Sequence, residues 1–89
     1  MPELSRFFGI VIQMYQEKNS RHHLRHFHAR YQEFSATYQI DPLKALESSL
    51  PQRQRRLVEA WAELHREELL HDWNLLISGK PIEPIKPLE

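Results

Sequence analysis

Between Asn19 and Tyr31 the chain reads NSRHHLRHFHARY, which sets four of its six histidines beside three arginines and no acid. Imidazole serves as metal ligand, proton shuttle or hydrogen-bond donor, and guanidinium is a planar fork for carboxylate or phosphate. His26 and His28 are two residues apart, a spacing that puts both side chains on one face of a strand and within reach of one ion. With His22 folding back as a third ligand, His22, His26 and His28 form a candidate divalent-metal site. Two features oppose it: no carboxylate stands between Glu17 and Glu33, and Arg21, Arg25 and Arg30 would repel a cation. The same stretch, as Arg21, His22, Arg25, His26, His28 and Arg30 with Ser35 and Thr37 beside it, also makes a donor-rich platform for phosphate, hence for RNA or DNA. A third chemistry, cleavage by an acid–base pair of imidazoles, needs the same residue types. A solvated basic margin with no site fits them too.

A second cluster lies further on. Trp61, His65, Glu68 and Asp72 fall on one flank of a helix, but only one histidine is involved and no HExxH spacing occurs. Packing of His65 beside Trp61, with a hydrogen bond to a nearby carboxylate, is the simpler reading. There is no cysteine, no Gly-rich phosphate loop and no nucleophile elbow, so no catalytic residue is assigned.

The elements that must position these groups follow from periodicity. Leu4 to Phe7 and Ile10 to Tyr15 read as two strands joined at Phe8-Gly9. In the second, Ile10, Ile12 and Met14 share one face, and Val11, Gln13 and Tyr15 the other. Phe27, Ala29 and Tyr31 alternate with His26, His28 and Arg30. Past a turn at Gln32-Glu33, Phe34, Ala36, Tyr38 and Ile40 alternate with Ser35, Thr37 and Gln39, which makes an antiparallel hairpin with one wet face. Asp41-Pro42 ends the pattern, and 41–50 reads as a connector. Ser49 suits a helix N-cap and Pro51 an early helical position, while Gly79 and Pro81 stop the helix, giving one long helix over 51–78.

That helix carries two apolar stripes. Leu57, Val58, Ala60, Trp61 and Leu64 form one; Leu69, Leu70, Trp73, Leu76 and Ile77 form another, rotated by well over a quarter turn. Either the helix bends near Glu67-Glu68, or its last part, with Leu69, Leu70, Trp73 and Ile77, packs against something else: the N-terminal strands or a partner, a second copy or a different protein. The tail GKPIEPIKPLE holds three prolines, and Ile82, Ile85 and Leu88 recur every third residue, as in an extended strap docked on an apolar groove. The expected fold is therefore α+β: a small antiparallel sheet of about four strands over 1–40, a connector, one long helix, and an extended tail over 79–89, all in a single domain.

Eighty-nine residues support one modest core. No apolar run approaches the roughly 18 residues of a membrane span, and MPELSRFF lacks the marks of a signal peptide, so a soluble cytoplasmic protein is expected. Net charge is zero, yet the stretch from Lys18 to Arg56 is strongly basic and that from Glu59 onward acidic. A basic surface facing a polyanion, or two regions neutralising each other, both fit.

Three blocks, MPELSRFFGIVIQMY, HFHARYQEF and LPQRQRRLVEAWAELHREELLHDW, resemble the small bacterial proteins grouped as domain of unknown function 4160. His22, His26 and His28 match the family's pattern, whereas Leu24 and Arg25 replace its prolines and Gln32 its turn glycine. The resemblance implies a component of a two-gene, toxin–antitoxin-like cassette whose partner is a second small protein. A non-catalytic binding role is the expected function, with a small histidine- or metal-dependent ribonuclease as its alternative and no cofactor beyond that candidate metal.

Overall fold

The computed structural model describes residues 3–16 and 24–88. Five strands, β1 (Glu3–Phe7), β2 (Ile10–Gln13), β3 (His26–Tyr31), β4 (Phe34–Gln39) and β5 (Lys44–Ser48), form one antiparallel meander in the order β1-β2-β3-β4-β5. Two helices follow, α1 (Gln52–Leu64) and α2 (Arg66–Ile77). The β1–β2 turn has Phe8 at φ 49° and Gly9 at φ 78°, the doubly left-handed shape that matches strand twist. The β3–β4 turn holds Gln32 at φ 54°, where a side chain costs about 1–2 kcal/mol that a glycine would avoid.

The sheet has one strand more than the alternation indicated. Residues 41–50 were expected to be a connector, but Lys44–Ser48 pairs with β4 through Thr37↔Glu47 and Gln39↔Lys44. KALES has no β-branched or aromatic residue, so its own preference is not for a strand. Ladder hydrogen bonds to the exposed edge of β4 override it. Ser49, expected as a helix cap, extends this ladder instead: its N–H and its hydroxyl both donate to the Ser35 carbonyl (2.8 and 3.1 Å), and the Ser35 N–H donates to Ser49 Oγ at 3.0 Å. Pro51 is the N-cap of α1, with no side-chain hydrogen bond.

The single long helix is also corrected. His65 leaves helical geometry at φ −112° and ψ 24°, dividing the segment in two. Neither glycine nor proline sits there, so the break comes from packing. It turns the second apolar stripe back onto the core: Leu69 is fully buried, and Leu70, Trp73 and Leu76 pack against the buried cluster. Glu67 and Glu68 occupy the first turn of α2, where negative charge complements the helix dipole. The far end closes on Gly79 (φ 75°), with Gly79 N–H donating to the Leu76 carbonyl and Lys80 N–H to that of Leu75, the pairing of a Schellman cap.

The core lies between one sheet face and the helices. Ile10, Ile12, Met14, Phe27, Ala29, Ala36, Tyr38 and Ile40 are buried with Val58, Trp61 and Leu69. Phe27 stacks on Tyr38 (5.5 Å, 10°), and Trp61 lies 5.5 Å from Phe7 and 6.0 Å from Phe27. Tyr38 is wholly buried, and its hydroxyl donates to Glu59 Oε2 at 2.9 Å, tying sheet to helix. Burial, reinforced by the Glu59 charge, holds this phenol well above its usual pKa. Residues 80–88 run extended, with Ile85 buried and Ile82 and Leu88 packed on the core. Ile85 N–H donates to the Leu4 carbonyl at 2.7 Å, so this strap lies along the outer edge of β1.

Two expectations follow from the core. Leu69→Ala should lower the unfolding free energy by about 2–5 kcal/mol in urea titration, whereas a cost below about 1 kcal/mol would mean that α2 is not seated on the sheet. Ser5 is 6% exposed and its hydroxyl finds no partner among the described residues, so Ser5→Ala should stabilise by about 1 kcal/mol in the same assay.

Candidate functional site

Cross-strand partners share a sheet face, so the register defines what the uncovered side presents. One row runs Arg6, Val11, Arg30, Ser35; the next runs Gln13, His28, Thr37, Glu47. Three shallow hollows lie along these rows. The first, about 300 Å³, is lined by Glu3, Arg6, Val11, Gln13 and Arg30. The second, about 280 Å³, is lined by Gln13, Tyr15, His28, Arg30, Ser35 and Thr37, and the third, about 230 Å³, by Ser35, Thr37, Glu47, Ser48 and Ser49. Shared residues join them into one polar trough across the strands, from β1 to β5.

At the middle of the trough Tyr15 stacks on His28, with ring centroids 4.3 Å apart and an 8° interplanar angle. Thr37 Oγ1 and His28 Nδ1 share a hydrogen bond of 3.2 Å. Arg30 is exposed and lines two of the hollows; among the described residues it has no ion pair. Arg6, by contrast, is bound to Glu3 at 2.7 Å, a contact that raises the guanidinium pKa and lowers that of the carboxyl.

The residues expected to act separate on this frame. Arg21 and His22 lie outside the described residues. Arg25 is exposed, and His28 and Arg30 stand on the trough as the alternation implied. His26 does not share that exposure. It is 3% exposed, donates Nδ1–H to the Leu24 carbonyl at 2.7 Å, and lies under Trp73 at 5.2 Å. Strand parity assigned it to solvent; Trp73, reaching over the start of β3, covers it. Its ring meets that of His28 edge-on at 5.2 Å and so buttresses the ring on which Tyr15 stacks. Among the described residues no group of three or more His, Cys, Asp or Glu side chains is placed to hold a metal ion. Of the four residues expected at a partner interface, Leu69 is enclosed, Leu70 and Trp73 pack on the core, and Ile77 is 53% exposed.

Gln13 and Tyr15 are members of the site that the sequence reading did not assign. Their signal was the period-two pattern of the second strand, which sets both opposite Ile10, Ile12 and Met14.

The helix cluster is structural. His65 lies 5.5 Å from the Trp61 ring and donates Nδ1–H to Glu68 Oε1 at 2.6 Å. His71 faces Glu83 of the strap at 3.8 Å. Asp72, 1% exposed, sits apart from His65 at a hollow of about 200 Å³ shared with Glu67, Glu68, His71 and Glu83, and its Oδ1 accepts the Glu83 N–H at 2.7 Å. Burial pushes the Asp72 carboxyl above the ordinary aspartate range, and the nearby Glu83 and Glu68 charges add to this, against the opposing hydrogen bond.

A five-stranded meander, backed by two helices and carrying a cation-centred trough on its open side, defines a small α+β sheet-face module. The family described as Domain of unknown function (DUF4160) matches residues 9–74, and the chain belongs to that family. Neither the curated proteins nor the solved structures give a match. The matched span contains β2 through most of α2, and so every trough residue from Gly9 to Ser49; β1 and the strap lie outside it. Among the described residues no helix is long and apolar enough to cross a membrane.

The raised pKa of Asp72 has a signed consequence. Because the folded value exceeds the unfolded one, its contribution to stability is fullest below the unfolded pKa and is lost as pH rises through the folded one. Asp72→Asn keeps an oxygen for the Glu83 N–H and removes the charge. In urea unfolding the variant should be the more stable at pH 7, with the gap closing towards about pH 3. A parent at least as stable as the variant at pH 7 would contradict this.

Proposed function

We propose that this chain is a non-catalytic binding component of a bacterial two-gene, toxin–antitoxin-like cassette, and that its open sheet face contacts single-stranded nucleic acid. The observation that carries the reading is Arg30, an exposed guanidinium with no ion pair among the described residues, in a hollow whose other described polar side chains, Gln13, Tyr15, His28, Ser35 and Thr37, include no acid. Guanidinium matches phosphate bidentately, and Gln13, Ser35 and Thr37 offer donors and acceptors for a sugar or a base edge. The cassette setting rests on the family resemblance. A protein partner on α2 has less support than the apolar stripe first suggested, because most of that stripe packs on the chain's own core. Among the described residues His28 is the one histidine that lines the trough, and no second described imidazole faces it across a substrate-sized gap, so the observations favour binding over acid–base cleavage.

The test is fluorescence anisotropy of a labelled single-stranded RNA with the full chain, with and without chelator and at two salt concentrations. Binding should weaken with salt and be indifferent to chelator. Arg30→Gln should weaken it by at least about fivefold, the loss of one charge-assisted hydrogen bond. Absence of binding at low salt would refute the proposal. Cleavage of the probe that His28→Ala abolishes in a folded variant would replace it with the ribonuclease alternative.

A further inference from the structure

The trough also limits what it can hold. We infer that it takes one nucleotide unit at a time, with a base against the Tyr15–His28 stack and a single phosphate at Arg30. This inference rests on the nucleic-acid reading above and adds the unit recognised.

Three observations support it. The stacked rings and Arg30 line the same hollow, so a ligand joining a flat ring to an anion can meet both at once. That hollow, about 280 Å³, is at the small end of ligand sites, which run from about 300 to 1,000 Å³. His28 of the stack is also held in place by buried His26, whose ring meets it edge-on. An aromatic platform already ordered in the unbound protein loses little further entropy when a base lands on it.

Charge sets the stoichiometry. Among the described residues two cations line the three hollows, Arg6 and Arg30, and Arg6 is committed to Glu3. The end of the trough at β5 holds Ser48, Ser49 and Glu47 and, among the described residues, no cation. Among the described residues that line the trough, Arg30 is therefore the one cation left for a phosphate of a strand laid along it. Surfaces built for long polyanions neutralise several phosphates, and their affinity falls steeply with salt. Recognition here comes mainly from ring stacking, which is sequence-tolerant because every base has a π-face.

The test uses the full chain and a labelled single-stranded octanucleotide. With one phosphate neutralised, affinity should fall only about threefold between about 50 and 200 mM salt. A fall of about twentyfold or more, as three or more neutralised phosphates would give, would overturn the inference while leaving nucleic-acid binding intact. Tyr15→Leu should weaken binding by about tenfold or more, and Tyr15→Phe, which keeps the ring, should bind like the parent. If leucine binds as well as tyrosine, the stacking platform is wrong. Competition on the unmodified protein decides the matter even if a variant fails to fold. A nucleoside monophosphate should displace the probe at about a tenth of the concentration that inorganic phosphate requires. Equal competition would remove the base from the account, and no binding of any probe would overturn both this inference and the proposal beneath it.

Discussion

Burial of Trp61 is the constraint on which the rest of this structure depends. Its ring packs on Phe7 of β1 and Phe27 of β3, so one side chain touches two strands and fixes where α1 crosses the sheet. Removing such a ring from water contributes about 4–6 kcal/mol, a large share of what a domain this small can gather. The indole N–H must then find an acceptor away from solvent. It donates to the Lys86 carbonyl at 2.9 Å, which draws the strap in beside the helix. Strap, helix and sheet thus meet at one residue, and Ile85 closes the same corner against Leu4.

The break at His65 follows from the same geometry. With Trp61 seated, a straight continuation would carry Leu69, Leu70 and Trp73 away from the sheet and leave a broad apolar stripe in water. Turning the chain there brings Leu69 into the core and lays Trp73 over His26. A pair of misaligned stripes can always be read in two ways, as a bend or as a partner. Here the bend accounts for nearly all of the second stripe, and Ile77 alone among the expected interface residues remains exposed.

Both helices pack on one side of the sheet and the strap runs along the edge of β1, which leaves the other side mostly to polar residues. That division turns a hairpin with one wet face into a trough spanning five strands. The trough is assembled from positions distant in sequence: Tyr15 lies two residues past the end of the second strand, His28 and Arg30 sit on the third, and Thr37 comes from the fourth. Within the described part of the Asn19–Tyr31 stretch, His26 is enclosed, while His28 and Arg30 line the trough.

Local pattern alone determined a good deal of this protein. Strict alternation in β3 and β4 identified the hairpin and its buried face, since a period of two has one wet and one dry solution. The Phe8-Gly9 turn, the Gly79 stop and the three-residue spacing of Ile82, Ile85 and Leu88 were equally legible, because each depends on backbone chemistry or a short repeat. Tertiary structure decided the rest. KALES became a strand because an unpaired ladder edge outweighs weak propensity, and His65 became a break because packing outweighs helix continuity. His26 was lost to the surface when Trp73, forty-seven positions away, covered it, a contact no local period can encode. Tyr15 joined His28 for the complementary reason: parity says which face a side chain takes, but only strand pairing says which ring lies beside it.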